Sequence, residues 1–376
     1  MKSAERILYV GEFTGFAGGI ERYAWQTARL LRAAGMCVDY LGTEPARDET
    51  LFRTGFRKVL SSSVPADGNY GLVVLHKLCS LPLLRRLRAM YGEKLVFLAH
   101  DHDLYCMRHH YYTPFGRRNC SRAFALPRCM LCALLSKPSN WKRSASESAR
   151  LLSELRGHPA VVISSFMRDN LLRNGFAPEQ VRVIPPAAED AVPHGPFMPD
   201  GKLRLLFLGQ LIRGKGCGLL LEAAAKLDIP FLLTVAGDGA DRARLERQCA
   251  RLGLTEKVRF AGWQPAPEKL FAQTDLLVFP SRWQEPFGLS GLEAQAHGIP
   301  AVAFRIGGVG EWLEDGVTGM SVAGMDVAGF AEAIECFARN PELLKTMGAH
   351  SYHNAVHKFT PERFVAAVRS LMEELQ

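Results

Sequence analysis

The feature that most constrains this chain is a repeated alternation of short apolar runs with amphipathic helical stretches. Arg6–Gly11 reads as a buried strand. Gly19–Ala34 follows as a helix with Ile20, Tyr23, Ala24, Thr27, Leu30 and Leu31 on one face. Val38–Leu41, Leu72–His76, Lys94–Ala99, Val161–Ser164 and Val181–Pro185 continue the strand series. A second series runs through strand Leu203–Leu208, helix Gly218–Leu227, strand Phe231–Ala236, helix Asp241–Leu252 and strands Val258–Ala261, Leu276–Phe279 and Pro300–Phe304. Alternating β and α segments predict an α/β chain with parallel, doubly wound sheets. Between the two series, Pro185–Gly201 is proline-rich and aperiodic and reads as an interdomain linker. The expected organisation is an N-terminal domain over residues 1–186, a second domain over 201–358 and a C-terminal helix over 360–376. Residues from about 101 to 146 break the rhythm as an irregular insertion rich in Arg, His, Tyr and Cys.

The 376 residues suit two cores, and 48% hydrophobic with 22% charged residues argues against wholesale disorder. The net charge of +8 favours an anionic partner: a phosphorylated small molecule, an acidic membrane surface or nucleic acid. A merely basic soluble surface accounts for the same number. No nucleic-acid recognition motif accompanies the charge, so nucleic acid is not the expected partner. No run approaches the ~18 apolar residues of a spanning helix, and the chain enters its first strand soon after Met1 and Lys2 rather than a long apolar leader. The expectation is a cytoplasmic chain, with a peripheral place on the inner face of a membrane left open. Of the nine cysteines, Cys37, Cys79, Cys217, Cys249 and Cys336 are scattered through apolar segments, as in a reducing compartment.

Pro280–Glu293 is the most informative stretch. A strand ends at Phe279, Pro286 and Gly288 suit a turn, and a helix then begins that carries Glu293. Free N–H groups at such a helix start suit a phosphate. Glu285 precedes the helix and Glu293 lies about two turns into it, so both can border one pocket; two ordinary surface glutamates are the plainer account. In the N-terminal half, the glycines after the first strand (Gly15, Gly18, Gly19) do not fit G-x-G-x-x-G, which weighs against a nicotinamide or flavin enzyme. His100 ends a strand, where open α/β sheets bind ligands.

Taken in order, these segments resemble retaining GT-B glycosyltransferases of glycosyltransferase family 4, also called glycosyl transferases group 1. Glu285 and Glu293 match the E-x7-E motif. Ala236-Gly237-Asp238-Gly239 resembles the G-x-G turn, Lys257–Gly262 the V-x-F-x-G strand, and Asp315-Gly316-Val317-Thr318-Gly319 the D-G-x-T-G turn. Gly298–Ala303 with Gly307-Gly308 resembles the run between them. The likeness covers essentially the whole C-terminal half. It implies two Rossmann-like domains with parallel sheets facing across a cleft. It also implies a nucleoside-diphosphate-sugar donor, most simply UDP-linked, retention at the anomeric carbon, and no cofactor required for the chemistry.

The resemblance also assigns roles. Glu285 lies beside the donor sugar; Glu293 takes the ribose hydroxyls; backbone around Phe287, Gly288, Leu289 and Ser290 contacts sugar and phosphates. Gly209–Gly216 resembles the phosphate-binding G-R-L-x-x-x-K-G, which places Lys215 on the diphosphate. Gln210 departs from the usual arginine, with Arg213 close by. Gly18 and Gly19 with Glu21 resemble the G-G-x-E loop, and His100 matches the H-D motif and faces donor sugar and acceptor. Asp101-His102-Asp103 also spells D-x-D, the metal motif of a different glycosyltransferase fold, and is set aside because the downstream motifs fit GT-B.

Within the insertion, Cys106, Cys120, Cys129 and Cys132 end in a C-x2-C pair that suits a structural zinc site; free thiols or a disulfide are the alternatives. Arg108, His109, Arg117 and Arg118 are candidates for gripping an anionic acceptor such as a lipid-linked or phosphorylated glycan. Attraction of the same basic segment to an anionic membrane is equally compatible.

Overall fold

A computed structural model of the chain describes residues 6–61, 69–77, 80–108, 111–113, 118–135, 145–189, 191–193, 198 and 200–375. The chain divides into two compact units, residues 1–187 with 361–376 and residues 188–360.

The first unit is a seven-stranded parallel sheet. Its strands are β1 (Arg6–Val10), β2 (Cys37–Leu41), β3 (Lys58–Leu60), β4 (Leu72–Leu75), β5 (Leu95–Ala99), β6 (Ala160–Val162) and β7 (Val181–Val183), in the order β3-β2-β1-β4-β5-β6-β7. Leu8, Val10, Val73, Leu75, Phe97 and Val162 form the buried centre of this unit, with Leu84, Leu87, Leu151 and Leu155 packed from helices. Strands covered on both faces read as unbroken apolar runs, as Ile7–Val10 and Leu72–Leu75 do. The helix Pro361–Glu374 belongs to this unit: Arg369 donates to the Ala34 carbonyl (3.1 Å), and Arg182 pairs with Glu374 (2.7 Å).

The second unit is a six-stranded parallel sheet. Its strands are β8 (Leu203–Leu208), β9 (Phe231–Ala236), β10 (Val258–Gly262), β11 (Leu276–Phe279), β12 (Ala301–Phe304) and β13 (Gly319–Val322), in the order β10-β9-β8-β11-β12-β13. Beneath it, fully buried Asp275 accepts from Arg204 Nη2 (2.7 Å) and Nε (3.0 Å) and from the backbone N–H groups of Arg204 (2.7 Å) and Met198 (3.0 Å). Every lone-pair direction of that carboxylate is therefore used. In both sheets the order turns back beside the first strand, at β1/β4 and at β8/β11, where this topology opens a ligand crevice at the strand C-termini.

Several elements differ from the sequence expectation. The strand expected over Val161–Ser164 stops at Val162, because Ser164 caps the helix Ser165–Arg173 by accepting from Met167 N (3.1 Å). β3 and β13 are short edge strands with polar positions, which leaves little apolar signal. The insertion is not irregular throughout: Leu126–Leu134 is a helix with Pro127 in its first turn, and a further helix, Ala145–Leu155, begins where the insertion ends.

Candidate functional site

In the second unit, two loops meet at the β8/β11 reversal. After β8 the chain passes Gly209, Gln210 and Leu211 into a single turn at Arg213–Lys215, and Gly216 starts the helix Cys217–Ala224. After β11 it runs through Ser281 and Glu285 to Gly288, which precedes the helix Leu289–Ala296. The loops are locked by backbone: Arg282 N donates to the Gly214 carbonyl (2.8 Å), and a Cβ on Gly216 (φ +74°) would sit 1.8 Å from the Pro280 carbonyl oxygen. The Trp283 ring lies on Gly214, where a Cβ would stand 1.6 Å from it.

This packing joins Lys215 to Glu285. Lys215 Nζ donates to both carboxylate oxygens, at 2.8 and 2.9 Å, and Glu285 is only 5% exposed. The buried Ser281 hydroxyl donates to the same carboxylate and also lies 3.2 Å from the Gly214 carbonyl. Glu285 is thus not an ordinary surface glutamate: its charge is desolvated, and a cation and a hydroxyl hold it. An anion arriving at Lys215 would compete with Glu285 for the ammonium. The carbonyl of Glu285 accepts from Gly308 N (2.7 Å), which ties in the Gly307-Gly308 run.

The helix Leu289–Ala296 carries Leu289, Ser290 and half-buried Glu293, whose side chain lies one turn and more past the helix start. Its start is fixed by Trp312: the indole N–H donates to the carbonyl of fully buried Phe287 (2.8 Å). Gly237 follows β9 with φ +138°, and a Cβ there would meet the Gly209 carbonyl oxygen at 1.9 Å, so this position needs glycine for close approach. Gln210 and Arg213 are both exposed on the β8 loop.

In the first unit, the reversal at β1/β4 gathers polar groups at the strand ends. His76 follows β4 and His100 follows β5, and His76 Nδ1 lies 2.9 Å from His100 Nε2 with both rings buried. Burial pushes His76 down to about 3. It also carries His100 well below the usual imidazole value, helped by the fields of His76 and Lys77. Both rings are therefore neutral near pH 7, and one proton is shared between the two facing nitrogens. Tyr23 stands edge-on to His100 (4.7 Å) and Tyr9 against His76 (4.2 Å).

Nearby, Lys77 pairs with Glu12 (2.9 Å). Burial pulls this ammonium down, but the Glu12 hydrogen bond and the fields of Glu12, Asp101 and Asp103 outweigh it and leave the group raised. Gly18 and Gly19 open the helix Gly19–Ala33. Beneath them the Glu21 carboxyl is buried and raised by desolvation, against hydrogen bonds from its own backbone and that of Gly18.

Of the other singled-out residues, Asp101 and Asp103 are close enough to Lys77 to act on its charge. Asp101-His102-Asp103 forms a turn in which Asp101 accepts from Asp103 N (3.0 Å), while buried His102 faces the Tyr105 hydroxyl (2.7 Å). Arg108 donates to the Tyr112 carbonyl (2.7 Å), and Arg118 is exposed. His109 and Arg117 lie outside the described residues. Cys106 accepts from Tyr111 N (3.3 Å) and packs with Cys120 against the first unit's core, whereas Cys129 and Cys132 lie on the helix Leu126–Leu134. Among the described residues no three His, Cys, Asp or Glu side chains are grouped to hold a metal ion.

Sequence reading passed over Ser281, His76 and Lys77. A usable signal existed for His76: it and His100 each stand one residue beyond the end of adjacent parallel strands. For Ser281 the signal is its place directly after the Phe279-Pro280 strand end, four residues before Glu285.

Residues 193–354 match the sequence model of the family described as Glycosyl transferases group 1. The second unit is a glycosyltransferase group 1 domain. Over the full length, the chain is 27% identical across 405 aligned residues to "D-inositol 3-phosphate glycosyltransferase 1" of Catenulispora acidiphila, covering 96% of this chain and 92% of that protein. It is 33% identical over 168 residues to "Lipopolysaccharide core biosynthesis glycosyltransferase LpsE" of Rhizobium meliloti, covering 45% and 49%. Among solved structures, Anabaena Alr3699/HepE in complex with UDP matches with a TM-score of 0.76 at 18% identity, covering all of both chains. Sucrose-phosphate synthase from Thermosynechococcus elongatus matches with a TM-score of 0.75 at 19% identity, covering 99% of each. These likenesses define the fold of the glycosyltransferase as GT-B, two Rossmann-like units each with a parallel sheet. Among the described residues no helix is long and apolar enough to cross a membrane.

Proposed function

We propose that this glycosyltransferase takes its sugar from a UDP-sugar and transfers it with retention to a glycan or lipid-linked acceptor bearing negative charge, in the synthesis of a surface polysaccharide or glycoconjugate. The observation that carries the reading is the Lys215–Glu285–Ser281 cluster at the β8/β11 reversal, beside the start of the helix that bears Glu293. Lys215 is a fixed cation for the departing diphosphate, and the helix start offers N–H donors to its oxygens. Releasing Lys215 to phosphate frees the Glu285 carboxylate to meet positive charge developing on the sugar ring. Glu293 accepts from the ribose diol. The neutral His100, oriented through His76, serves a sugar or acceptor hydroxyl. Arg108 and Arg118 of the first unit are the described basic residues for an anionic acceptor, and the chemistry calls on no metal or cofactor. Support for the donor class comes from the solved neighbour whose bound ligand is UDP.

The test is donor binding and slow hydrolysis across a panel of UDP-, GDP- and ADP-sugars, with Glu285→Ala and Glu293→Ala alongside. One UDP-sugar is expected to bind and turn over, with turnover lost in the first variant and affinity lost in the second. A protein that binds no sugar nucleotide would refute the assignment.

A further inference from the structure

The helix Leu126–Leu134 presents an unusual face. Among the described residues nine large apolar side chains are exposed, and five of them are Leu126, Met130, Leu131, Leu134 and Leu135, within one short stretch. At about 3.6 residues per turn, Leu126, Met130 and Leu134 form one stripe, Leu131 and Leu135 the next, and Pro127 falls between them. Leu131 is 60% and Leu134 58% exposed. The opposite side holds buried Ala133 with half-buried Cys129 and Cys132, and contacts the helix Ala145–Leu155. Half of this helix's circumference is thus apolar and open to solvent.

Charge says what covers it. Residues 104–146 hold eight Lys and Arg and no Asp or Glu, so this segment accounts for the entire net charge of +8; the rest of the chain has 38 residues of each sign. Arg128 is exposed on the helix itself, and exposed Arg118 and Arg122 precede it in the same chain segment. An apolar face carried by a segment with eight cations and no acidic residue fits a surface that is negative outside and greasy beneath. A protein partner would need an apolar groove with an acidic rim; a bilayer containing anionic lipid offers both by construction.

We propose that Leu126–Leu135 is a membrane-surface helix. It seats Leu126, Met130, Leu131 and Leu134 at the acyl boundary of an anionic bilayer while Arg118, Arg122 and Arg128 engage lipid phosphates. The helix is too short to span and lies in the plane of the interface. The donor-site reading is not needed for this, and lipid binding and donor binding are read separately.

The experiment is co-sedimentation of the full chain with vesicles of phosphatidylcholine alone or phosphatidylcholine with phosphatidylglycerol. Wild type is expected to bind the anionic vesicles at least about tenfold more tightly than the neutral ones, less so as salt rises. Leu131→Ser with Leu134→Ser is expected to lose about tenfold of that binding while donor hydrolysis in solution is unchanged. Arg118→Glu with Arg122→Glu is expected to lose the preference for anionic lipid. Slowed amide exchange over residues 126–135 when anionic vesicles are added to wild type gives the same answer without a variant. Wild type indifferent to anionic vesicles overturns the proposal, as does full binding by the leucine variant. A solution dimer that the leucine variant abolishes, with no vesicle binding, assigns the face to a second copy and also overturns it.

Discussion

Lys215 has two anionic claims on it, the Glu285 carboxylate it holds now and the diphosphate it is proposed to receive. Lys215→Met removes the cation from both and leaves Glu285 buried with Ser281 as its hydroxyl donor. Donor turnover is expected to fall by about a hundredfold or more, read as the initial rate of UDP-sugar hydrolysis; a rate within a factor of a few of wild type would remove Lys215 from the reaction. The histidine pair makes a second residue-scale prediction. His76 has an unfolded value of 6.5 and a folded value of about 3, so the folded state binds fewer protons between those limits. Its contribution is intact above pH 6.5 and is lost as pH falls toward 3, at about 1.4 kcal/mol per pH unit, with His100 acting in the same direction. Urea midpoints measured from neutral pH into the acid range should fall less steeply in His76→Gln than in wild type.

At the scale of loops and strands, the site depends on backbone that no side chain can enter. Gly216→Ala puts a methyl against the Pro280 carbonyl at a left-handed position, and should cost more than about 1 kcal/mol. Gly310→Ala, with open space around it, is the near-neutral control in the same denaturation series. Asp275→Ala strands Arg204 and two backbone N–H groups under the sheet, and should cost about 3–5 kcal/mol by the same measurement.

These elements also show what was legible beforehand. Leu203–Leu208, Phe231–Ala236 and Leu276–Phe279 run as strands between the ends read from sequence: burial writes Leu276–Phe279 as an unbroken apolar run, and only Arg204 and Thr234 interrupt the other two. β3 and β13 were invisible because an edge strand of three or four residues with polar positions has no such run. The helix Leu126–Leu134 was hidden for the opposite reason: its exposed face is apolar, so no polar period marks it. Motif spacing singles out Glu285 and Lys215, but they are 70 residues apart, and only the folded loops reveal that one holds the other. Of the cysteine cluster, only the spacing is legible in sequence; Cys129 and Cys132 stand on one helix, while Cys106 and Cys120 pack against the first unit's core.

For the molecule as a whole, each unit brings its own cluster to the point where its sheet order reverses, and the nucleotide alone is assigned to the second. Saturating UDP is expected to slow amide exchange over residues 209–216 and 280–293 and to raise the second unit's stability by about 2.7 kcal/mol at a hundredfold excess over Kd. Protection confined to the first unit would reverse the assignment of the nucleotide side.

The return of Pro361–Glu374 to the first unit has a consequence for biogenesis. The chain leaves the first unit after residue 187 and re-enters it at 361, so the second unit is complete in sequence while the first still lacks a helix that buries Phe364, Val365, Val368, Leu371 and Met372. On the ribosome, the unit that begins first is therefore completed after the second. Until residues 361–374 emerge, a nascent chain with a finished second unit still exposes the apolar seat of that helix, and this window is when chaperones would have most to bind.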